Sequence, residues 1–212
     1  MYQPPHFRED DAAIQHALMR AHPLGLLVTN GSAGLEANLI PFVLDAITGE
    51  HGTLRGHLAR PNPQWQQLDP AAEALVVFQG PEAYVTPSWY AAKAESGKVV
   101  PTWNYAVVQV HGRIRTTDDP RWLRAQIEAL TDQQEDRRAR PWHVSDAPAS
   151  YVEGQIRGIV GIEIAISRIE GKWKASQNRP AQDQPNIVAG LNAEGATTMA
   201  NIVRQRGGGE HR

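Results

Sequence analysis

The 212-residue sequence contains no cysteine, and this absence excludes several kinds of site at once. Disulfides, cysteine-bound zinc, iron–sulfur clusters and thiol nucleophiles all require a cysteine sulfur. The eight histidines include no pair spaced three or four residues apart, so no metal site is expected either. Any redox chemistry in this protein therefore has to come from another group.

The sequence also lacks an excess of one charge and any long hydrophobic run. Lysine and arginine number 21 against 23 aspartate and glutamate, for a net charge of −2, so there is no general positive field to hold nucleic acid or an anionic membrane. The most apolar stretch, residues 158–166, contains Glu163 and is too short to cross a bilayer. The first residues have no signal-peptide pattern. These features predict a soluble, cytoplasmic protein without membrane contact, for which direct nucleic-acid binding is disfavoured.

Hydrophobic alternation between turn signals predicts a mainly β protein. The six predicted strands span residues 24–29, 35–44, 53–60, 74–86 with a break at Gly80-Pro81, 108–115 and 159–169. Helical spacing predicts three helices, at residues 10–21, 120–130 and 192–206, with Asp119 capping the second. Short strands with few helices favour an antiparallel β-barrel with peripheral helices. We expect one domain over residues 1–206 and a disordered tail at 207–212.

The first of three polar clusters follows the third predicted strand. His57 and Arg60 lie at the strand end, and Asn62 lies in a turn between two prolines. The forked guanidinium and the amide would suit a phosphate. An exposed arginine beside a turn asparagine would give the same pattern.

The other two clusters combine aromatic, amide and cationic residues. Residues 84–90 and 99–105 hold two of the six tryptophans and three of the five tyrosines, which suits a flat conjugated ligand or, alternatively, a packed aromatic core or dimer seam. Residues 171–180 contain Lys172, Lys174 and Arg179. This last segment could bind an anion or be a solvated loop, and it is too short for a nucleic-acid patch.

Taken in order, six short motifs resemble the PaiB-type family of FMN-binding negative transcriptional regulators, which belongs to the flavin split-barrel superfamily. Each motif is weak alone, and the specificity lies in their order and spacing along nearly the whole chain. The motifs are MYxPxxF at 1–7, EANLIPF at 36–42, GHLAR at 56–60 followed by Asn62-Pro63, YVxPSWY at 84–90, VPTWNY at 100–105 and KxSQN at 174–178.

The resemblance implies a six-stranded antiparallel split barrel that dimerises and binds FMN in two clefts between subunits. By similarity, the ribityl phosphate would be held by His57, Arg60 and Asn62. The isoalloxazine cleft would be lined by Ser88, Trp89, Tyr90, Thr102, Trp103 and Asn104, and closed by Lys174 and Gln177. The sequence has no helix-turn-helix pattern and no basic stripe, so a regulatory effect would be indirect.

Two other functions stay open at the level of the sequence. One is enzymatic: a flavin-dependent oxidoreductase, or a haem-degrading enzyme as found in the wider superfamily. The other is a repressor that binds DNA directly, which would require a salt-dependent complex with promoter DNA.

Overall fold

The computed structural model describes residues 1–69 and 71–207. These residues form eight strands: β1 Arg8–Glu9, β2 Leu24–Gly31, β3 Gly34–Pro41, β4 Val43–Asp45, β5 Thr53–Ala59, β6 Ala74–Val85, β7 Thr102–Thr117 and β8 Ile159–Lys174. The α-helices are α1 Ala12–Ala21, α2 Ala92–Ser96, α3 Pro120–Glu135, α4 Ala149–Arg157, α5 Gln184–Ala193 and α6 Thr197–Arg206. No helix within these ranges is long and apolar enough to traverse a bilayer.

The strands form one sheet in the order β3-β2-β6-β7-β8-β5-β4, and β1 pairs with β8. The pairings of β2 with β3 and β6, of β5 with β4 and β8, and of β1 with β8 are all antiparallel. The prediction of a mainly antiparallel β protein with helices is therefore confirmed. The prediction of six strands in a barrel is corrected, because the described part of the chain has eight strands and their order has two ends, β3 and β4.

The two additional strands have simple causes. The predicted strand 35–44 is divided at Phe42, because β3 pairs with β2 whereas β4 pairs with β5. Buried Phe42 marks the point where the chain changes partner, and its amide donates to the Pro23 carbonyl at 2.9 Å. The strand β1 has only two residues, which is too short for an alternating pattern to reveal.

Three other element predictions also needed correction. Strand β6 runs without interruption through Pro81, which lies beyond the Leu75–Val77 segment that pairs with β2, so its missing N–H breaks no bond of that pairing. One predicted C-terminal helix is two helices, α5 and α6, separated at Gly195, which has a φ of +80°. Strand β8 continues to Lys174, five residues beyond its predicted end.

The chain divides into two compact units, each assembled from separate segments. Unit 1 comprises Met1–Asp11, Gln79–Val108 and the chain from Glu170 onward, and unit 2 comprises Ala12–Phe78 and Gln109–Ile169. In unit 1, helices α5 and α6 contribute Ile187, Leu191, Met199 and Val203 to a buried cluster. In unit 2, fully buried Leu27, Leu54, Val76, Phe78, Ile162 and Ile164 supply the interior of the sheet.

The helix α3 of unit 2 begins as the sequence predicts. The Asp119 carboxylate accepts a hydrogen bond from the Arg121 amide at 2.9 Å, and Pro120 occupies the first helical position. The helix then continues to Glu135, five residues beyond its predicted end. Helix α4 has no counterpart in the prediction. Of the predicted tail, Gly207 caps α6, and residues 208–212 lie outside the described part of the chain.

A pair of glycines in unit 2 gives a test of packing. A Cβ at Gly161 on β8 would lie 2.4 Å from the Trp122 ring and 2.7 Å from the Thr117 methyl, whereas one at Gly154 on α4 would approach nothing closer than 3.7 Å. We expect Gly161→Ala to lower the free energy of unfolding by about 1–3 kcal/mol through overpacking. Gly154→Ala should raise it by about 0.5–1 kcal/mol, because alanine favours a helix interior. Urea denaturation measures both, and equal effects of the two substitutions would contradict the packing at β8.

Candidate functional site

In unit 2, the three residues predicted to hold a phosphate each make hydrogen bonds within the unit. The His57 Nδ1 lies 2.7 Å from the Oε1 of Gln126, which is buried on α3. Because an amide oxygen only accepts, Nδ1 is the donor of this hydrogen bond. The Asn62 side chain accepts from the Gln64 amide at 2.9 Å and so caps the short 3-10 turn Pro63–Gln66.

The Arg60 guanidinium joins the end of β5 to the start of β8. Its Nε donates to the Arg157 carbonyl at 2.8 Å, and its Nη2 donates to the Ile159 carbonyl at 2.8 Å and to Asp118 at 2.7 Å. Its positive charge therefore already has a carboxylate partner in the fold. The role predicted for Arg60 in phosphate binding stays a prediction. In this structure the Arg60 side chain connects β5 to the segment that leads into β8.

In unit 1, four of the predicted site residues make contacts within the unit. The indole of Trp89 packs against Gly190 of α5, where a Cβ would come within 2.1 Å of the ring. Tyr90 is buried with the Arg179 guanidinium 4.3 Å from its ring centre. Burial raises the pKa of the Tyr90 hydroxyl, which therefore stays neutral.

The other two of these residues, Asn104 and Gln177, hold backbone and side chains near the end of β8. Asn104 is fully buried, and its Nδ2 donates to the Ser176 hydroxyl at 2.9 Å while its Oδ1 lies 3.2 Å from the same oxygen. The Gln177 amide bonds the Ala175 N–H at 2.7 Å and the Trp173 carbonyl at 2.6 Å. Both amides therefore have hydrogen-bond partners within unit 1, and their predicted roles in FMN binding stay predictions.

An aromatic groove lies on the outward face of β7 in unit 1. The groove has a volume of about 330 Å³ and is lined by Gln79, Glu82, Trp103, Tyr105, Ala106 and Val107. Trp103 is 52% exposed, and its ring meets that of Tyr84 edge to face with the centroids 5.9 Å apart. Exposed rings beside a groove of this size fit a flat conjugated ligand.

A cluster of cations adjoins Tyr105 of this groove. The ammonium groups of Lys172 and Lys174 lie 5.4 Å and 6.0 Å from the centre of the Tyr105 ring. The Lys174 Nζ also donates to the Thr102 hydroxyl. Burial lowers the pKa of Lys174, and the nearby charges of Lys172 and Arg179 act in the same direction.

The structure thus brings together only part of the predicted site. Thr102, Trp103 and Lys174 lie at or beside the aromatic groove. Ser88 accepts from the Lys93 ammonium at 3.0 Å and belongs to the exposed turn Pro87–Trp89. The site residues implied by the family resemblance do not include Lys172 and Tyr105, although both lie in polar clusters of the sequence. The alternation of a strand places Lys172 beside Lys174, and Tyr105 beside Trp103, on one face. Within the described residues, no cluster of three potential metal ligands is found.

Comparison with known proteins identifies the family. Residues 1–168 match the family model described as "Putative FMN-binding domain". The chain belongs to this FMN-binding family. Its cofactor is FMN. The protein AN0679 of Emericella nidulans is 40% identical over 94% of both chains, and protease synthase and sporulation protein PAI 2 of Bacillus subtilis is 29% identical over 97% of this chain and 98% of its own. These matches confirm the resemblance to the PaiB-type proteins.

Solved structures agree with the fold. The conserved hypothetical protein Rv2991 of Mycobacterium tuberculosis superimposes with a TM-score of 0.58 at 12% identity, over 85% of this chain and 94% of that one. The flavocytochrome Anf3 of Azotobacter vinelandii gives a TM-score of 0.55 at 14% identity, over 79% of this chain and 69% of its own. At such low identity the likeness supports the split-barrel fold of this FMN-binding protein and not its activity.

The buried pair of Asn104 and Ser176 yields a prediction for unit 1. Ser176 has a φ of +61°, a left-handed conformation that costs a non-glycine residue about 1–2 kcal/mol. We expect Asn104→Ala to lower the free energy of unfolding by about 1–3 kcal/mol, because it leaves the Ser176 hydroxyl buried and unpaired. Ser176→Gly loses the same hydrogen bonds and leaves the Asn104 amide unpaired, but we expect a smaller net loss because glycine relieves the left-handed strain. Thermal and urea unfolding compare the two, and a larger loss for Ser176→Gly would contradict this account.

Proposed function

We propose that this FMN-binding chain acts as a homodimeric flavoprotein of the PaiB type, with the flavin at the aromatic groove of unit 1. The observation that carries the proposal is the juxtaposition of the Trp103 and Tyr105 rings with the Lys172 and Lys174 ammonium groups. FMN is a flat conjugated ring joined to a phosphate. A groove that offers aromatic surface beside positive charge matches both parts of that molecule.

The residues of the groove fit the separate needs of the cofactor. The rings of Trp103 and Tyr105 would contact the isoalloxazine, and the polar groups of Thr102 and Gln79 would bond its edge. Bound FMN would supply one- or two-electron redox chemistry. The chain has no thiol that could take part in redox chemistry. Its residues would therefore bind and orient the flavin and control the charge around it.

A homodimer is supported by an exposed apolar face in unit 2. On β2 and β3, the side chains of Leu24, Leu26 and Leu39 point outward from one face of the sheet, with Leu26 paired in register with Leu39 and with Val77 of β6. Leu24 and Leu39 are 55% and 61% exposed. Contiguous leucines of this kind on a sheet face mark a contact surface. We propose that a second copy covers this face, which would form the dimer that the PaiB-type resemblance implies.

The regulatory role is proposed to be indirect. The Bacillus subtilis relative is named for protease synthesis and sporulation, which are processes of the whole cell. The present chain has a net charge of −2, so non-specific attraction to DNA phosphates is weak. A flavoprotein that changes the redox or ligand state of the cell would affect such processes without contacting a promoter. The cytoplasmic location stays a prediction.

The function is tested by the spectrum and turnover of the purified full chain. We expect a yellow protein with flavin absorption, or a colourless one that takes up added FMN stoichiometrically. Steady oxidation of a reduced nicotinamide would favour the oxidoreductase alternative, and conversion of added haem would favour the haem-degrading one. A salt-dependent complex with promoter DNA would favour a direct repressor. Failure to take up FMN would overturn the proposal.

The dimer is tested by placing a charge on the apolar face. Leu39→Glu should convert the dimer into a monomer, because burying an unpaired carboxylate between two sheets costs several kcal/mol. Light scattering after size-exclusion chromatography measures the mass. Ile47→Glu is the matched control, since Ile47 is 93% exposed in the loop after β4 and should leave the mass unchanged. A chain that is monomeric before substitution, or dimeric after it, would contradict the assignment.

A further inference from the structure

We propose that Lys172 and Lys174 together bind the phosphate of FMN, and that Lys172 makes the site select FMN over riboflavin. This inference rests on the proposed function and deepens it, because it assigns the phosphate to unit 1 and not to the His57, Arg60 and Asn62 cluster. It adds a residue, Lys172, to which the sequence motifs give no role.

The first observation is that the charge of Lys172 has no counter-ion among the residues that the structure describes. The Lys172 residue as a whole is only 9% exposed. Its ammonium makes no hydrogen bond or ion pair within this part of the chain, and its neighbours are the rings of Tyr2 and Tyr105, whose centres lie 5.6 Å and 5.4 Å away. Ring faces attract an ammonium group but do not neutralise its charge. An anion beside Lys172 would supply the missing partner.

The second observation is that Lys172 lies next to another lysine on the same face of β8. The positions are two residues apart on a strand, so both side chains point the same way. Lys174 is half-buried and bonded to Thr102. Two like charges around one tyrosine ring repel each other in the absence of an anion. A phosphate monoester carries a charge near −2 at neutral pH, which matches the two ammonium groups.

The third observation is that the acidic residues of unit 1 on β1 and β8 already have partners. The carboxylate of Glu170 on β8 bonds the Met1 amino group at 2.8 Å, and that of Glu9 on β1 bonds Arg206. Each of these two carboxylates therefore has a cation of its own. Within the described residues, the geometry points to a bound anion as the partner of the two lysines.

The role of Arg60 in unit 2 contrasts with that of Lys172. The Arg60 guanidinium is bonded to Asp118 and to two backbone carbonyls, so a phosphate would have to compete with contacts that hold β5 and β8. Lys172 has no hydrogen bond or ion pair within the described residues that it would have to give up to bind a phosphate. The lysine pair is therefore the better candidate for the phosphate site.

Riboflavin provides the decisive probe, because it has the isoalloxazine and ribityl chain of FMN but no phosphate. We would measure dissociation constants for both flavins by fluorescence quenching on the full-length protein. The variants are Lys172→Met, which keeps the length and removes the charge, and Lys172→Arg, which keeps the charge. Lys98→Met is the control, since Lys98 is an exposed lysine of unit 1.

The expected result is a selective loss of affinity for FMN. Lys172→Met should weaken FMN binding about 10- to 100-fold, which corresponds to one charge-assisted hydrogen bond, and should change riboflavin binding less than about threefold. Lys172→Arg should keep most of the preference for FMN, and Lys98→Met should keep all of it. The melting temperature of the flavin-free Lys172→Met protein should not fall, because the substitution breaks no hydrogen bond or ion pair within the described residues and methionine keeps an apolar contact with the two tyrosine rings.

Other outcomes overturn the inference in recognisable ways. If Lys172→Met weakens FMN and riboflavin equally, or lowers the melting temperature, Lys172 supports the fold and not the phosphate. If the FMN preference survives in Lys172→Met but is lost in Arg60→Ala, the phosphate lies in unit 2. If the unmodified protein binds neither flavin, the proposed function itself fails, which is a different result from either of these.

Discussion

The organisation of unit 1 depends on side-chain hydrogen bonds that fasten the end of β8 to the start of β7. The buried amide of Asn104 forms hydrogen bonds with the hydroxyl of Ser176. Two residues earlier in both segments, Lys174 donates a hydrogen bond to Thr102. These bonds keep Ser176 in a left-handed conformation, which directs the chain from β8 toward α5. Because Asn104 is fully buried, its polar groups have no alternative partner in water, and the connection is expensive to break.

This constraint explains why the outward face of β7 can serve as a site. With Asn104 fixed on the inside, strand alternation turns Trp103 and Tyr105 outward. Lys172 and Lys174 are brought beside Tyr105 by β8. The groove therefore combines aromatic surface and positive charge in a chain whose net charge is −2. A few local cations are enough for an anionic cofactor.

Most of the fold could be read from the sequence, and the failures have particular causes. Alternation located six strands, but it could not show that Phe42 separates two partners or that two residues at Arg8 form a strand. Pro81 suggested a break, yet it lies past the paired part of β6. The functional site was harder to predict than the fold, because a motif does not show whether its residues contact a ligand or pack within the protein. Trp89, Tyr90, Asn104 and Gln177 make contacts within unit 1 that their motifs do not reveal.

The sequence by itself determined the class of the protein: a mainly antiparallel β chain without thiols or a basic surface, and a member of an FMN-binding family, because composition, alternation and motif order are all local properties of the chain. Only the tertiary structure decided which cations are free to bind an anion. Arg60 and Lys172 are both plausible phosphate ligands in a sequence. Asp118 neutralises the Arg60 charge, and two backbone carbonyls accept its hydrogen bonds. Lys172 instead has the rings of Tyr2 and Tyr105 as neighbours. These contacts join residues far apart along the chain, so the sequence alone could not show them.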